Sequence, residues 1–219
     1  MLLFSPLIEH AIELSAQWHD GTYRKNRWRD SAFEVPEGEV LRVPTMAHVT
    51  AVAMTVQRAG WEDEVVAAAF LHDVLEDANR YEERFRREQM IELVGEAVTV
   101  LVDAVSEQKH DAEGNFRSWR DRKEDYVANL RTAPTGAVAI SLSDKLHNLW
   151  SMNESLAREM DIFSHAPNRR ALSAGPEQQL WFNEAVLAVS EQHDDERLVP
   201  MRAALREQID VFASLNRMR

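Results

Sequence analysis

The stretch Val65-Val66-Ala67-Ala68-Ala69-Phe70-Leu71-His72-Asp73-Val74-Leu75-Glu76-Asp77 decides how this chain is read. Its first seven residues are apolar all round, which suits a helix at the centre of a core rather than one on its surface. Its last six carry four ionisable groups. Charge removed from water is tolerated when it is paired or bound to a metal, so this ending asks for a cation or a dense salt-bridge network. With the helix continued to about Asp77, residues four apart share a face, placing His72 above Glu76 and Asp73 above Asp77. One polar stripe is then set to ligate and the adjacent one to handle a proton.

Helical patterning continues on both sides of this segment. Ser5-Pro6 reads as an N-cap with proline at the first helical position, followed by Leu7, Ile8, Ala11, Ile12, Leu14 and Trp18 at helical spacing and ending near Gly21. From Pro44 to Ala59, Met46, Val49, Val52, Ala53 and Val56 form an apolar stripe that Gly60 can close as a left-handed cap. Further helices are expected at 88–94, 96–107, 117–131, 135–158, 177–192 and 196–215. Val/Ile/Thr-rich alternating runs are missing, so the expected class is all-α, a helical bundle folded as one domain over 1–219. Residues 176–219 supply the C-terminal helices that complete the bundle. The segment 26–43 has no clear period and contains Pro36-Glu37-Gly38, so it reads as a long insertion loop: a lid, a binding loop or a disordered insertion.

Composition narrows the partners. The chain has 219 residues, 45% hydrophobic and 28% charged, a globular profile with enough apolar material for a sizeable core. No apolar run approaches the ~20 residues needed to cross a bilayer, and the first residues lack the basic-then-apolar form of a secretory signal. No membrane partner and a cytoplasmic location are therefore expected. A net charge of −12 argues against nucleic-acid binding, which draws its affinity from Lys and Arg on the phosphate backbone. A small anionic ligand remains compatible through a local basic patch, offered by Arg24, Lys25, Arg27 and Arg29 or by Arg117, Arg120, Arg122 and Lys123. With no cysteine in the chain, any metal must sit on His, Asp or Glu.

Two more apolar helices carry isolated polar groups. His48 interrupts the 44–59 stripe, and Asp144 interrupts Ala139-Ile140-Ser141-Leu142-Ser143-Asp144-Lys145-Leu146-His147-Asn148, with Asn148 one turn further along the same face. Each alone also fits a hydrogen-bonded core residue. Together His48, His72, Asp73 and Asp144 offer two imidazoles and two carboxylates from three core helices, a mixed set suited to Mn²⁺, Fe²⁺ or Zn²⁺ rather than Ca²⁺.

These segments, in this order, resemble the HD-domain metal-dependent phosphohydrolases, and more specifically the hydrolase domain of the RelA/SpoT enzymes and the small alarmone hydrolases. The matching residues are His19-Asp20-Gly21-Thr22-Tyr23-Arg24-Lys25, Ala47-His48, Leu71 to Asp77, and Leu142-Ser143-Asp144-Lys145-Leu146-His147-Asn148. The resemblance implies that His48, His72, Asp73 and Asp144 ligate one divalent ion, usually Mn²⁺, and that Glu76 and Asp77 are the catalytic acidic pair near its water. It further implies that Arg24 packs on a guanine base, that Lys25 holds the nearby phosphate side, and that Asn148 and Ser151 line the nucleotide pocket. The basic stretch Arg120 to Lys123 is similar to one that faces a second pyrophosphate in some members. The implied reaction is 3′-pyrophosphohydrolysis of guanosine 3′,5′-bispyrophosphate (ppGpp).

Departures from the pattern keep other substrates open. Between Lys25 and His48 stand 22 residues, Asn26 to Ala47, where the family has a short link, and Val49 stands where proline is usual. Ser141, Ser143 and Trp150 replace a frequent lysine, alanine and arginine. An HD phosphatase acting on the 2′-phosphate of NADPH or on a nucleoside monophosphate fits the same metal set. So does a nucleotide sensor that keeps the ion as a staple, although two extra carboxylates beside the ligands would serve no purpose there.

Overall fold

The computed structural model describes residues 3–28, 33–34, 36–37, 42–165 and 171–217, and the side chains of 25–28 fall outside that description. Helices dominate. α1 (Pro6–Trp18) starts where Ser5 Oγ accepts the Ile8 N–H, with Pro6 in the first turn as expected. α2 (Thr45–Arg58) ends ahead of Gly60, whose φ of +85° is the left-handed conformation that glycine adopts without a Cβ penalty. The other helices are α3 (Asp63–Leu71), α4 (Arg87–Val94), α5 (Glu96–Val105), α6 (Trp119–Leu130), α7 (Thr135–Leu156), α8 (Pro176–Ser190) and α9 (Leu198–Arg217).

Apart from the C-terminal end of α3, the helices from α2 onward begin and end within two residues of the bounds expected from sequence. Among the described residues none is long and apolar enough to cross a membrane.

Two helices organise the core. Every residue of α3 from Val65 to Leu71 is buried, as an all-apolar helix must be, and it packs against α1, α2, α5 and α7. α7 is buried continuously from Gly136 to Lys145 and rests on α2, α5, α8 and α9. Phe182 of α8 meets Trp119 and Tyr126 of α6 edge-on, with ring centroids 5.9 and 5.7 Å apart, a favoured aromatic geometry.

Two expectations are corrected. α3 stops at Leu71 and does not run on to Asp77. The reason is local: His72 Nδ1 bonds the Ala69 carbonyl at 2.8 Å, and the Val74 N–H turns back to Leu71 in a tight three-residue step. One further turn follows, closed by the Asp77 N–H on the Asp73 carbonyl at 2.9 Å. Asp73 and Asp77 thus keep a one-turn relation, while His72 and Glu76 do not share a helix face.

The second correction concerns residues 26–43, expected as an aperiodic loop. Its two ends are strands: β1 (Tyr23–Trp28) pairs antiparallel with β2 (Arg42–Pro44), Tyr23 opposite Pro44 and Trp28 opposite Arg42. The Arg42 guanidinium lies 4.7 Å over the Tyr23 ring, a cross-strand contact between residues too polar to give an alternating pattern. The middle of that stretch lies outside the described residues except at 33–34 and 36–37. The Thr45 N–H bonds the Thr22 carbonyl and joins the ribbon directly to α2.

Candidate active site

Asp144, midway along α7, is the focus of the polar cluster. The burial that makes α7 a core helix leaves this carboxylate only 8% exposed, so its charge must be met by neighbours. Lys145 Nζ lies 2.5 Å from Oδ2, and Asn148 Nδ2 donates to Oδ1 at 2.6 Å. Burial alone would push this carboxyl up. Lys145 and the imidazoles of His48 and His72 outweigh burial and hold it well below the usual carboxylate range.

Two imidazoles face the same oxygen. His48 Nε2, from α2, is 3.1 Å from Asp144 Oδ1, and His72 Nε2, just past α3, is 3.8 Å away. Asp73 reaches both rings, with Oδ1 3.3 Å from His72 Nε2 and Oδ2 3.9 Å from His48 Nε2. The four residues singled out as ligands therefore meet at one point. Within it, His48, His72 and Asp144 offer ligand atoms all within 4.8 Å of one another, a group that can hold a metal ion.

The donor set fits a cation on a further observation. His72 Nε2 is buried and has no hydrogen-bond partner, while the contact of its Nδ1 with the Ala69 carbonyl puts the ring proton on Nδ1 and leaves the Nε2 lone pair facing the carboxylates. Burial opposes a second proton on this ring, yet Asp73 and Asp144 pull its pKa up to about 9. The neighbouring His48 is pushed well below its ordinary value by burial and by Arg24. The cluster thus draws one positive charge to this spot, as a proton or as an ion.

Glu76 and Asp77 line the same cavity, which has a volume of about 470 Å³. Glu76 is held from outside its own turn: Oε1 is 3.1 Å from Lys109 Nζ and Oε2 accepts the Glu107 N–H at 3.3 Å. Burial, with Glu107, Asp73 and Asp77 adding to it and Lys109 opposing, raises its pKa to about 7. A carboxyl that titrates near neutrality can both accept and return a proton. Asp77 Oδ1 lies 2.5 Å from the same Lys109, and its backbone carbonyl accepts the Trp18 indole N–H at 2.9 Å.

The residues expected to bind substrate are distributed as follows. Arg24 donates from its guanidinium to Asn148 Oδ1, so a chain of hydrogen bonds runs from β1 through Asn148 to Asp144. Asn148 and Ser151 both line the cavity from α7. Lys25 belongs to β1, and its side chain is outside the described residues.

The basic stretch is mostly committed elsewhere. Arg117 pairs with Asp125, Arg120 with Glu124 while stacking 3.3 Å over Trp181, and Arg122 with Glu107 at 2.7 Å. From that stretch Lys123 lines the cavity, paired with Glu107 and 4.5 Å over the Phe182 ring. Sequence reasoning assigned no role to Glu107, Lys109 or His147. The first two sit beyond α5 in irregular chain, about thirty residues from the Glu76–Asp77 pair they meet, where no periodicity could reveal them.

Two histidines and two aspartates gathered from α2, α7 and the turn after α3, with an acidic pair alongside, define a helical domain built around a site able to hold a metal ion. The family model described as HD domain matches residues 37–170, more than half of the chain, and the chain belongs to that family. Over 137 residues it is 30% identical to a probable guanosine-3′,5′-bis(diphosphate) 3′-pyrophosphohydrolase of Synechocystis, covering 58% of this chain and 17% of that protein. It is 33% identical over 112 residues to a guanosine-3′,5′-bis(diphosphate) 3′-pyrophosphohydrolase of Haemophilus influenzae, covering 48% and 15%. A GTP pyrophosphokinase of Streptomyces coelicolor matches at 26% over 174 residues, covering 76% and 18%. The chain thus spans less than a fifth of the length of these curated relatives.

Among solved structures, a Listeria monocytogenes protein superposes with a TM-score of 0.58 at 26% identity, over 74% of this chain and 91% of its own. A metazoan ortholog of SpoT, described as hydrolyzing ppGpp, shares the fold over 98% of both chains with a TM-score of 0.62 at 22% identity.

Proposed function

We propose that the chain is a divalent-metal-dependent phosphohydrolase that removes the 3′-pyrophosphate of guanosine 3′,5′-bispyrophosphate, with Mn²⁺ as its ion. The observation that carries this reading is the meeting of His48, His72, Asp73 and Asp144 around an unpartnered imidazole nitrogen, next to a carboxyl poised near neutrality. The named activities of the Synechocystis and Haemophilus relatives support the choice of substrate. The ion, when bound, supplies Lewis acidity, neutralising phosphoryl charge and making water a competent nucleophile near pH 7.

The chain's own residues do the rest. His48, His72, Asp73 and Asp144 hold the ion. Glu76 takes a proton from the attacking water, whose oxygen bonds to the phosphorus nearest the ribose as the bond to the 3′-oxygen breaks. That oxygen leaves with the proton returned by Glu76, giving GDP and pyrophosphate. Lys109 keeps Glu76 and Asp77 facing the cavity. Arg24 and Asn148 orient the guanosine, the planar guanidinium offering a stacking face that lysine lacks.

A product assay with Mn²⁺ tests this, offering ppGpp beside NADPH and nucleoside monophosphates, with Asp73→Asn as the blank. GDP plus pyrophosphate, missing from the blank, is the expected result. Phosphate released from one of the other nucleotides instead would replace the substrate and leave the metal chemistry standing.

A further inference from the structure

The two imidazoles at the metal cluster are oriented by different means. His72 is fixed by a backbone carbonyl, that of Ala69, which can only accept, so its Nδ1 must carry the proton. His48 has no such anchor. Its Nδ1 faces the Nδ1 of His147 at 2.8 Å, with ring centroids 4.8 Å apart and the planes tilted by 49°. Two imidazole nitrogens at that distance share one proton, and either ring can own it.

The far side of His48 settles which ring must. Its Nε2 points at Asp144 Oδ1 and Asp73 Oδ2, where the cation sits in the reading above, so Nε2 must offer a lone pair. Nδ1 must then hold the proton and donate it, and His147 must present a bare Nδ1.

We infer that His147 is the positioning residue for His48, accepting its Nδ1–H and so locking the tautomer and ring orientation that ligation requires. The inference rests on the metal reading proposed above. It also gives α7 a third duty at the site: within one turn Asp144 ligates, Asn148 braces Asp144 and Arg24, and His147 acts through a ligand of another helix.

The test uses Mn²⁺ alone, titrated into wild type, His147→Leu and His147→Asn with the free ion followed by electron paramagnetic resonance. Asparagine places an acceptor oxygen near the position of Nδ1, whereas leucine removes it. Leucine should weaken Mn²⁺ binding by about 10–100-fold, the usual loss when a histidine ligand loses its outer partner, and asparagine should restore most of it. Long-range ¹H–¹⁵N spectra of wild type loaded with diamagnetic Zn²⁺ supply an independent reading, in which His48 should appear with its proton on Nδ1 and His147 as the Nε2–H tautomer.

Equal affinity in wild type and leucine variant would overturn the inference, as would equal loss in the leucine and asparagine variants with unchanged circular dichroism. A wild-type His48 carrying its proton on Nε2 would overturn it whether or not either variant folds. Absence of Mn²⁺ binding in wild type would instead refute the metal reading, and with it the need for a lone pair on His48 Nε2.

Discussion

Two turns of this molecule carry the same kinds of side chain and are stabilised in opposite ways. In the α7 turn from Asp144 to Asn148, the charge is answered first from within: Lys145 and Asn148 bond Asp144 across one and four residues, and the imidazoles of His48 and His72 add to them. In the turn from His72 to Asp77, the acidic pair is answered from outside, by Lys109 and the Glu107 amide some thirty residues away, while Trp18 of α1 bonds the Asp77 backbone carbonyl. The first arrangement forms with its helix and stays in place. The second depends on irregular chain docking correctly, and leaves one carboxyl near its titration point. This suits a division in which α7 holds the ion and the turn after α3 moves the proton.

Removing the α7 charge should have the largest effect. Asp144→Asn leaves Lys145 buried without its partner, a loss of ~3–5 kcal/mol for a broken buried pair. In a chain of this size that lowers the melting temperature by roughly 6–20 °C. Mn²⁺ binding should vanish as well. Adding Lys145→Met should recover much of the stability and none of the metal binding, as seen by calorimetry and metal titration. If the double variant melts as low as Asp144→Asn alone, the pair is not what holds this turn.

Changing the other turn should spare the ion and lose the chemistry. Glu76→Gln keeps the shape and the Glu107 amide contact, so metal affinity should stay within a few-fold while turnover falls by ~10²–10⁴. A joint loss of metal and turnover would make Glu76 a ligand and erase the division.

The same contrast explains what the sequence revealed. α7 and its ligand were legible because a lone aspartate in an apolar helix is a local anomaly, and Asn148 lies at the next helical position. His48 was legible for the same reason. Lys109 and Glu107 were not, because they follow α5 in irregular chain and meet Glu76 some thirty residues away. The end of α3 was misplaced because the His72 ring, not a glycine or proline, draws the chain out of the helix by taking up the Ala69 carbonyl. The β1–β2 ribbon escaped notice because Tyr23 and Arg42 become neighbours only once paired.

The helices that lead into the two turns are also packed closely against each other. At Gly136 in the first turn of α7, an added Cβ would stand 2.9 Å from a Val65 methyl of α3 and 3.2 Å from Leu101 of α5. Gly136→Ala should therefore cost ~1–3 kcal/mol in overpacking, less up to ~1 kcal/mol regained in helix propensity. A net loss of about 1 kcal/mol by urea unfolding is expected, with Mn²⁺ affinity unchanged because Asp144 lies two turns further on. Reduced affinity would show that spacing between α3 and α7 sets the metal geometry.

The smallest effect sharpens the contrast most, because it concerns one proton. In the metal-free protein Glu76 titrates at about 7 against an ordinary 4.5, so between those values the folded state binds more protons than the unfolded one. The contribution of Glu76 to stability must then fall as pH rises through this window, with a slope of at most ~1.4 kcal/mol per pH unit. Glu76→Gln removes the ionisation and should flatten the slope, so that the variant gains on wild type between pH 5 and pH 7.5. Glu107→Gln takes away a neighbouring carboxylate and should lower the Glu76 pKa, whereas Lys109→Met takes away the opposing cation and should raise it. Carboxyl ¹³C shifts read both directly. Opposite signs for these two substitutions are what a carboxyl held from outside requires; no movement in either would mean that burial within its own turn is enough.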